Sequence, residues 1–429
     1  MPIPGDRPRP RLSRRERAHV ALVCDYSLAY LGGAQTALLQ EAAALAAAGV
    51  RVTVVTPSSP HVWSRVRPHP AVRHLRVPPM AHVPGLDLPV VTEGRRLRRD
   101  LAGFLRRRGV DVVHLHSEFG LAAAAARAAE ACGVPVVHTV HTFFWRGPDR
   151  GGHLLAPALR AAFRAATGLR PGRGPLAERP ADSALRHMTL ATARLADVVI
   201  SPSAHQARHL RAAGLPAVSV LANVVTGAAA AEPLTHVSGP LRVLWVGRCV
   251  PEKRILPFVR AVLDAVARAG QGRLAVTVVG EGAQLAQAQD MAAGCDALTF
   301  LGRRPHAEVA HLLAQSHLLA LSSSGFDNQP MTIAEAVTAR RGVLYCDPAL
   351  SEGLSGSGIL SGPEPAELAA TLTDLVRHPE RVIEASRGAQ AAGEVFTAER
   401  HVAGLQEIYA AASWSRNRRI AAAAAAGRS

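Results

Sequence analysis

The sequence lacks the usual marks of several protein classes. Its five cysteines, at 24, 132, 249, 295 and 346, stand far apart and form no CxxC pair. That spacing excludes a disulfide scaffold and a cysteine metal ribbon, and it suits buried thiols in a reducing compartment. Aromatic residues are only 4% of the chain and do not interleave with the arginines, which argues against nucleic acid as a partner. No apolar run reaches the length of a membrane span. Residues 1–17 are rich in Pro and Arg without an apolar centre, so they do not read as a signal peptide. The expected location is the cytoplasm. An Asp-x-Asp pair, which could hold a divalent metal against a phosphate, is also missing. Lysine is scarce beside arginine.

What is present is a long, basic, well-filled chain: 429 residues, 48% hydrophobic, with a formal charge of +16. The length calls for two or three domains. The charge points to an acidic substrate or an anionic membrane surface. From Val20 onward short apolar runs alternate with amphipathic helical stretches, the pattern of a parallel α/β sheet. The pattern breaks at the Ala/Pro/Gly stretch 227–240 and then restarts. The expected division is a basic flexible arm (1–17), an N-terminal Rossmann-like domain (18–226), a linker (227–240) and a second Rossmann-like domain (241–412). The last helix of the second domain is a candidate to return to the first, and a basic Ala-rich tail (413–429) follows. Segments 60–95 and 146–190, dense in Pro, Gly and Arg, read as irregular insertions. The fold class is therefore α/β, with two doubly wound sheets facing each other across a cleft. Ligands of such sheets bind at the carboxyl ends of the strands.

Candidate chemistry gathers at those ends. Gly325-Phe-Asp-Asn-Gln-Pro330-Met-Thr-Ile-Ala-Glu335 sets Asp327 and Glu335 around a helix start, with Pro330 in the first turn and Gly342 as the expected stop. A helix N-terminus attracts phosphate, and carboxylates beside it can accept hydroxyls, so a sugar nucleotide fits. A capped surface helix is the ordinary alternative. Arg248 and Lys253 follow the first strand of the second domain and offer fixed positive charge for a diphosphate leaving group. Gly280-Glu-Gly282 is a glycine turn too short for a dinucleotide fingerprint. Gly32-Gly33 opens a helix on the other wall. Four histidines, His114, His116, His138 and His141, cluster at N-domain strand ends. Alternation turns His114 and His116 to the same side. They could hold zinc, but no Cys or carboxylate stands at ligand spacing. His141 is the one best placed for an acceptor hydroxyl.

In order, these pieces resemble the retaining GT-B glycosyltransferases of family 4, a group with many bacterial mannosyl- and glucosyltransferases. The carriers are Gly32-Gly33, Asp111-Val-Val-His-Leu-His116, Val134-Pro-Val-Val-His-Thr-Val-His141, Ala196-Asp-Val-Val-Ile-Ser201, Gly247-Arg248 with Lys253, Gly280-Glu-Gly282, Phe300-Leu-Gly302 and Asp327-x7-Glu335. The resemblance implies that Arg248 and Lys253 bind the donor diphosphate, that Gly32 and Gly33 approach it from the N-domain, and that Glu335 holds the ribose. It further implies that Arg303 meets the base, that Asp327 with the backbone of Asn328, Gln329, Pro330 and Met331 positions the sugar, and that His141 lies by sugar and acceptor. It implies a metal-independent hexosyltransferase with no cofactor, using GDP-mannose or a UDP-sugar and a lipid or glycan hydroxyl, with no protein nucleophile. Two departures stand out: Asp327 replaces the family's first Glu, and Leu221-Ala-Asn-Val replaces the usual Pro-Asn-Gly.

Three other functions share some features. A glycosidase also uses two carboxylates, and a sugar-nucleotide epimerase shares the architecture. A membrane-surface protein would use helix 95–108, whose Leu97, Leu101, Phe104 and Leu105 share one face opposite arginines. The same face could instead pack on the first sheet. A peripheral attachment to the inner face of the plasma membrane would fit that helix and a lipid acceptor.

Overall fold

The computed structural model describes residues 18–83, 88–147, 152–227 and 231–426; the expected arm 1–17, part of the linker and the last residues of the tail lie outside them. Fifteen strands are described: β1 (His19–Val23), β2 (Arg51–Thr56), β3 (Arg73–Arg76), β4 (Ala81–Val83), β5 (Leu88–Val90), β6 (Val112–Leu115), β7 (Val136–Thr139), β8 (Val198–Ser201), β9 (Val218–Val220), β10 (Leu241–Val246), β11 (Leu274–Val279), β12 (Leu298–Gly302), β13 (Leu318–Leu321), β14 (Gly342–Tyr345) and β15 (Gly358–Leu360). The first sheet runs β3-β2-β1-β6-β7-β8-β9 and the second β12-β11-β10-β13-β14-β15, every pair parallel. The central strands are buried on both faces, as β1, β6, β7, β13 and β14 show, because helices cover both sides. In each sheet the strand order reverses beside the opening strand, β1 or β10. The loops leaving those strands therefore edge a crevice.

Segments 60–95 and 146–190 are more regular than expected. They hold helices Pro60–Val66, Gly152–Thr167 and Pro180–Ala193 and the antiparallel hairpin β4–β5. Pro60 and Pro180 sit in the first turn of their helices, where a missing N–H costs nothing, and Ser59 caps the first of them by accepting from Val62 N–H. Proline density there marks helix starts.

The helix after Pro330 spans Met331–Thr338, and the chain turns out of it at Arg340, whose φ of 55° is left-handed. Gly342 is therefore not the stop. It is the first residue of β14, where a Cβ would stand 2.7 Å from the Ala385 methyl.

Helix Arg95–Arg108 resolves its own ambiguity. Leu101 and Leu105 are buried and Leu97 and Phe104 pack beside them in the core of the first domain. Its apolar face is covered by protein and cannot also enter a bilayer; the arginines opposite remain on the surface.

The tail, expected as a separate basic stretch, continues as one helix, Ala398–Ala426. It leaves the second domain and packs against helix Gly33–Ala47 and strands β7 and β8. The latch is Asp197, whose side chain is 0% exposed. It accepts from Val136 N–H at 2.8 Å, sits 3.4 Å from Arg416 Nε and pairs with Arg419. Replacing Asp197 by Ala strands the nearly buried Arg416 charge, a loss of about 3 kcal/mol. Urea unfolding and limited proteolysis should show a less stable chain whose C-terminal helix is cut first.

Candidate active site

Between the two sheets lies a cavity of about 740 Å³. Its N-domain wall begins after β1. Residues Tyr30–Gly33 line it, and Gly32 stands at the N-cap of helix Gly33–Ala47 with no side-chain cap. Gln35 Nε2 donates to the carbonyls of Ser27 (3.2 Å) and Tyr30 (3.1 Å), which shapes the loop. A Cβ at Gly33 would meet no neighbour within 4 Å, so the first-turn amides stand open to a ligand.

The opposite wall is built from the exits of β10, β11 and β12, laced together by backbone bonds. Gly247 N–H donates to Val279 O, Gly280 N–H to Gly302 O and Cys249 N–H to Glu281 O. Gly280 has φ 147°, and a Cβ there would fall 1.8 Å from Gly247 O, so only glycine lets the two exits touch. This platform carries Arg248 and Lys253 into the cavity. Lys253 ends a short turn, Pro251–Lys253, and Arg254 (φ 56°) swings the chain into helix Ile255–Ala269. The Lys253 carbonyl is pinned from behind: Ser322 Oγ donates to it at 2.7 Å, and buried Trp245 Nε1 donates to Ser322 at 2.9 Å. Its ammonium lies 2.5 Å from Asp327 Oδ1 and 5.6 Å from the centre of the Phe326 ring. Asp327 Oδ2 is buried without a hydrogen-bond partner among the described residues. Lys253 is also the only lysine in the sequence, one against 48 arginines.

Glu335 lines the same cavity from the helix after Pro330, and its Oε1 lies 3.0 Å from His306 Nε2. That hydrogen bond raises the His306 pKa, burial opposes it, and the carboxylate charge adds to the rise. The two carboxylates of the motif thus hold different partners, Lys253 and His306, which does not suit an acid/base pair acting on one bond. Arg303 stacks 5.0 Å over the Tyr30 ring and reaches Ala29 O at 3.4 Å, so it bridges the domains.

The structure brings together the residues named for the donor and the acceptor: Gly32, Gly33, His141, Arg248, Lys253, Arg303, Asp327, Asn328, Gln329, Pro330, Met331 and Glu335 all line the cavity, whereas His114, His116 and His138 do not. Two side chains do something unforeseen. Asn328 Oδ1 accepts from the Ser203 hydroxyl, and Gln329 Oε1 accepts from Asn223 N–H at 2.7 Å. Both fasten the domains together through their side-chain oxygens. Tyr30, Trp145 and His306 also line the cavity and were not foreseen. A lone Tyr, Trp or His carries no spacing by which to find it.

His141 lies just past β7 and bonds His116 Nδ1 through Nε2 at 2.9 Å. Burial, then the neighbouring His116, hold its pKa well below the ordinary histidine value. It is neutral near pH 7 and can only donate or accept a hydrogen bond. Behind it the expected histidine cluster is real, and it gains a carboxylate from far along the chain: Glu41, on helix Gly33–Ala47, is 2.9 Å from His114 Nδ1 and 3.3 Å from His116 Nε2.

Residues 31–226 match the family described as Glycosyltransferase Family 4, and residues 240–378 match Glycosyl transferases group 1. The chain belongs to the family 4, group 1 glycosyltransferases. It is an enzyme of the hexosyltransferase class. Solved structures share the fold of this glycosyltransferase at low identity. HepE of Anabaena, in complex with UDP and glucose, is 18% identical over 91% of this chain and 98% of its own, with a TM-score of 0.64. Sucrose-phosphate synthase from Thermosynechococcus elongatus is 18% identical over 95% and 100%, TM-score 0.63. The pneumococcal O-GlcNAc transferase GtfA, in complex with UDP and GlcNAc, is 10% identical over 93% and 99%, TM-score 0.62. These establish the GT-B architecture of the glycosyltransferase. A comparison with curated proteins gives no match.

Proposed function

We propose that this glycosyltransferase takes a hexose from a uridine diphosphate sugar and passes it, with retention at the anomeric carbon, to a hydroxyl of a lipid or glycan acceptor. The observation that carries the reading is the placement of Arg248 and Lys253 on one wall of the cleft and of the open Gly33 helix terminus on the other. A diphosphate bound between them is neutralised by two fixed cations and backbone amides, with no metal needed at that point. Uridine is favoured over guanosine because structural neighbours are described in complex with UDP.

The chain's residues then divide the work. Glu335 accepts from the ribose hydroxyls. Asp327 accepts from a hydroxyl of the sugar through Oδ2, and its Oδ1 keeps Lys253 aimed. As the bond from the anomeric carbon to the diphosphate oxygen breaks, Arg248 and Lys253 take up the charge developing on that oxygen. The acceptor oxygen bonds to the anomeric carbon on the same face, and its proton passes to the departing diphosphate. Neutral His141 offers a hydrogen bond beside the reacting sugar without adding charge.

No described helix is long and apolar enough to cross a membrane. The exposed arginines of helix Arg95–Arg108 give the N-domain a basic face, and anionic vesicles would be drawn to it by charge alone.

Thermal unfolding with UDP-glucose, UDP-GlcNAc and GDP-mannose tests the donor. A UDP-sugar at 100 times its Kd should stabilise the protein by about 2.7 kcal/mol. Stabilisation by GDP-mannose alone would reassign the base, and none by any donor would remove the reading. Interconversion of the sugar nucleotide without acceptor would make the enzyme an epimerase.

A further inference from the structure

Among the described residues one group of side chains has the make-up of a metal site, and it lies behind the cleft in the N-domain. Glu41, His114 and His116 are all buried, and one ligand atom from each falls within 4.8 Å of the others. They come from helix Gly33–Ala47, strand β6 and the residue that follows that strand.

The orientation of these groups does not suit a simple hydrogen-bonded cluster. Glu41 Oε1 and His116 Nε2 are 3.3 Å apart, yet both are buried without a hydrogen-bond partner. His114 Nδ1 faces Glu41 Oε1 at 2.9 Å and the Tyr409 hydroxyl at the same distance. Orphaned buried polar atoms are costly; Glu41 Oε1 and His116 Nε2 are two such atoms, His114 Nδ1 faces the same point, and a cation there would satisfy all three.

The outer atoms tell the complementary story. His114 Nε2 bonds Thr139 Oγ1 at 2.8 Å, His116 Nδ1 bonds His141 at 2.9 Å, and Glu41 Oε2 lies 3.1 Å from His401 Nε2. His401 in turn reaches Ala222 O at 2.8 Å. Each candidate ligand thus turns one atom inward and has the other fixed from outside, the arrangement that orients ligands around a metal. We infer that Glu41, His114 and His116 bind one zinc ion, with the Tyr409 hydroxyl available as a fourth ligand. Two imidazoles and a carboxylate suit zinc, and burial suits a structural role.

Such an ion would join three parts of the chain: the helix that opens onto the cleft, the strand beneath it, and the C-terminal helix that brings His401 and Tyr409. Through His116 it would also fix the ring of His141. It stands apart from the diphosphate clamp, since Arg248 and Lys253 belong to the other domain. The inference holds or fails independently of the donor reading.

The test uses the full chain purified without chelators. Elemental analysis should find one zinc per chain. After dialysis against a chelator, titration with zinc chloride should restore one equivalent and raise the melting temperature. Thr139→Val, which removes only the outer bond to His114, should weaken zinc binding roughly 10–100-fold. Glu41→Gln should weaken it further, and His209→Gln, a surface control, should leave it unchanged. Should Glu41→Gln fold poorly, X-ray absorption at the zinc edge of the wild-type protein must still report nitrogen and oxygen ligands alone. A wild-type chain that neither retains nor rebinds zinc overturns the inference. So does equal binding by folded Glu41→Gln and His209→Gln.

Discussion

Lys253→Ala should lower the rate of sugar transfer by about 10²–10³-fold, the usual loss when one fixed donor to a developing oxyanion is removed. Lys253→Arg should rescue little of it. The ammonium sits 2.5 Å from Asp327 Oδ1, and its backbone is held by Ser322 and Trp245, a seat shaped for a compact charge. A planar guanidinium needs a different geometry. The composition makes the same point: a chain that uses arginine 48 times has one lysine, and it is here. The side chain is partly exposed, so the fold should survive, as circular dichroism would verify. Steady-state kinetics with a saturating UDP-sugar would then read the loss in kcat. Near-normal turnover by both variants would remove the diphosphate clamp from the account.

Glu335→Ala should act on a different constant. Its carboxylate holds the ribose in both ground and transition states, so KM for the donor should rise while kcat changes less. One charge-assisted hydrogen bond is worth about 1.5–3 kcal/mol, or roughly 10–100-fold. The pH dependence adds a signature. In the free enzyme Glu335 is bonded to His306, whose pKa is raised by that bond. A folded-state pKa raised above the free value means the pair is strongest below pH 6.5 and weakens as pH rises through the raised value. Ribose competes with His306 for the same carboxylate. Donor affinity should therefore increase across that window, and the increase should vanish in His306→Gln. A donor KM that is flat with pH in wild type, or unchanged in Glu335→Ala, would move the ribose elsewhere.

The parts of this architecture written in local pattern were legible in advance. Apolar runs separated by amphipathic stretches gave both parallel sheets, and the strand-end rule gave the cleft. Arg248, Lys253 and Glu335 were visible because their spacing from a strand end or helix start fixes where they point. Long-range pairing was not visible. Glu41 meets His114 and His116 from more than seventy positions away, so a search for ligand spacing missed the carboxylate. Asp197 holds Arg416 and Arg419 from more than two hundred positions away, which turns a basic Ala-rich tail into an anchored helix. Proline misled in the opposite sense: Pro60 and Pro180 begin helices where composition suggested loops. The amphipathic pattern of Arg95–Arg108 was real, but only packing could say that the core covers it.

A crystal structure of the enzyme with UDP bound tests the central claim most directly. The account places the diphosphate between the amides at Gly33 and the side chains of Arg248 and Lys253, with the ribose on Glu335 and His306 displaced from it. A nucleotide bound outside this cleft, or one whose phosphates leave Lys253 and Arg248 without contact, would contradict it.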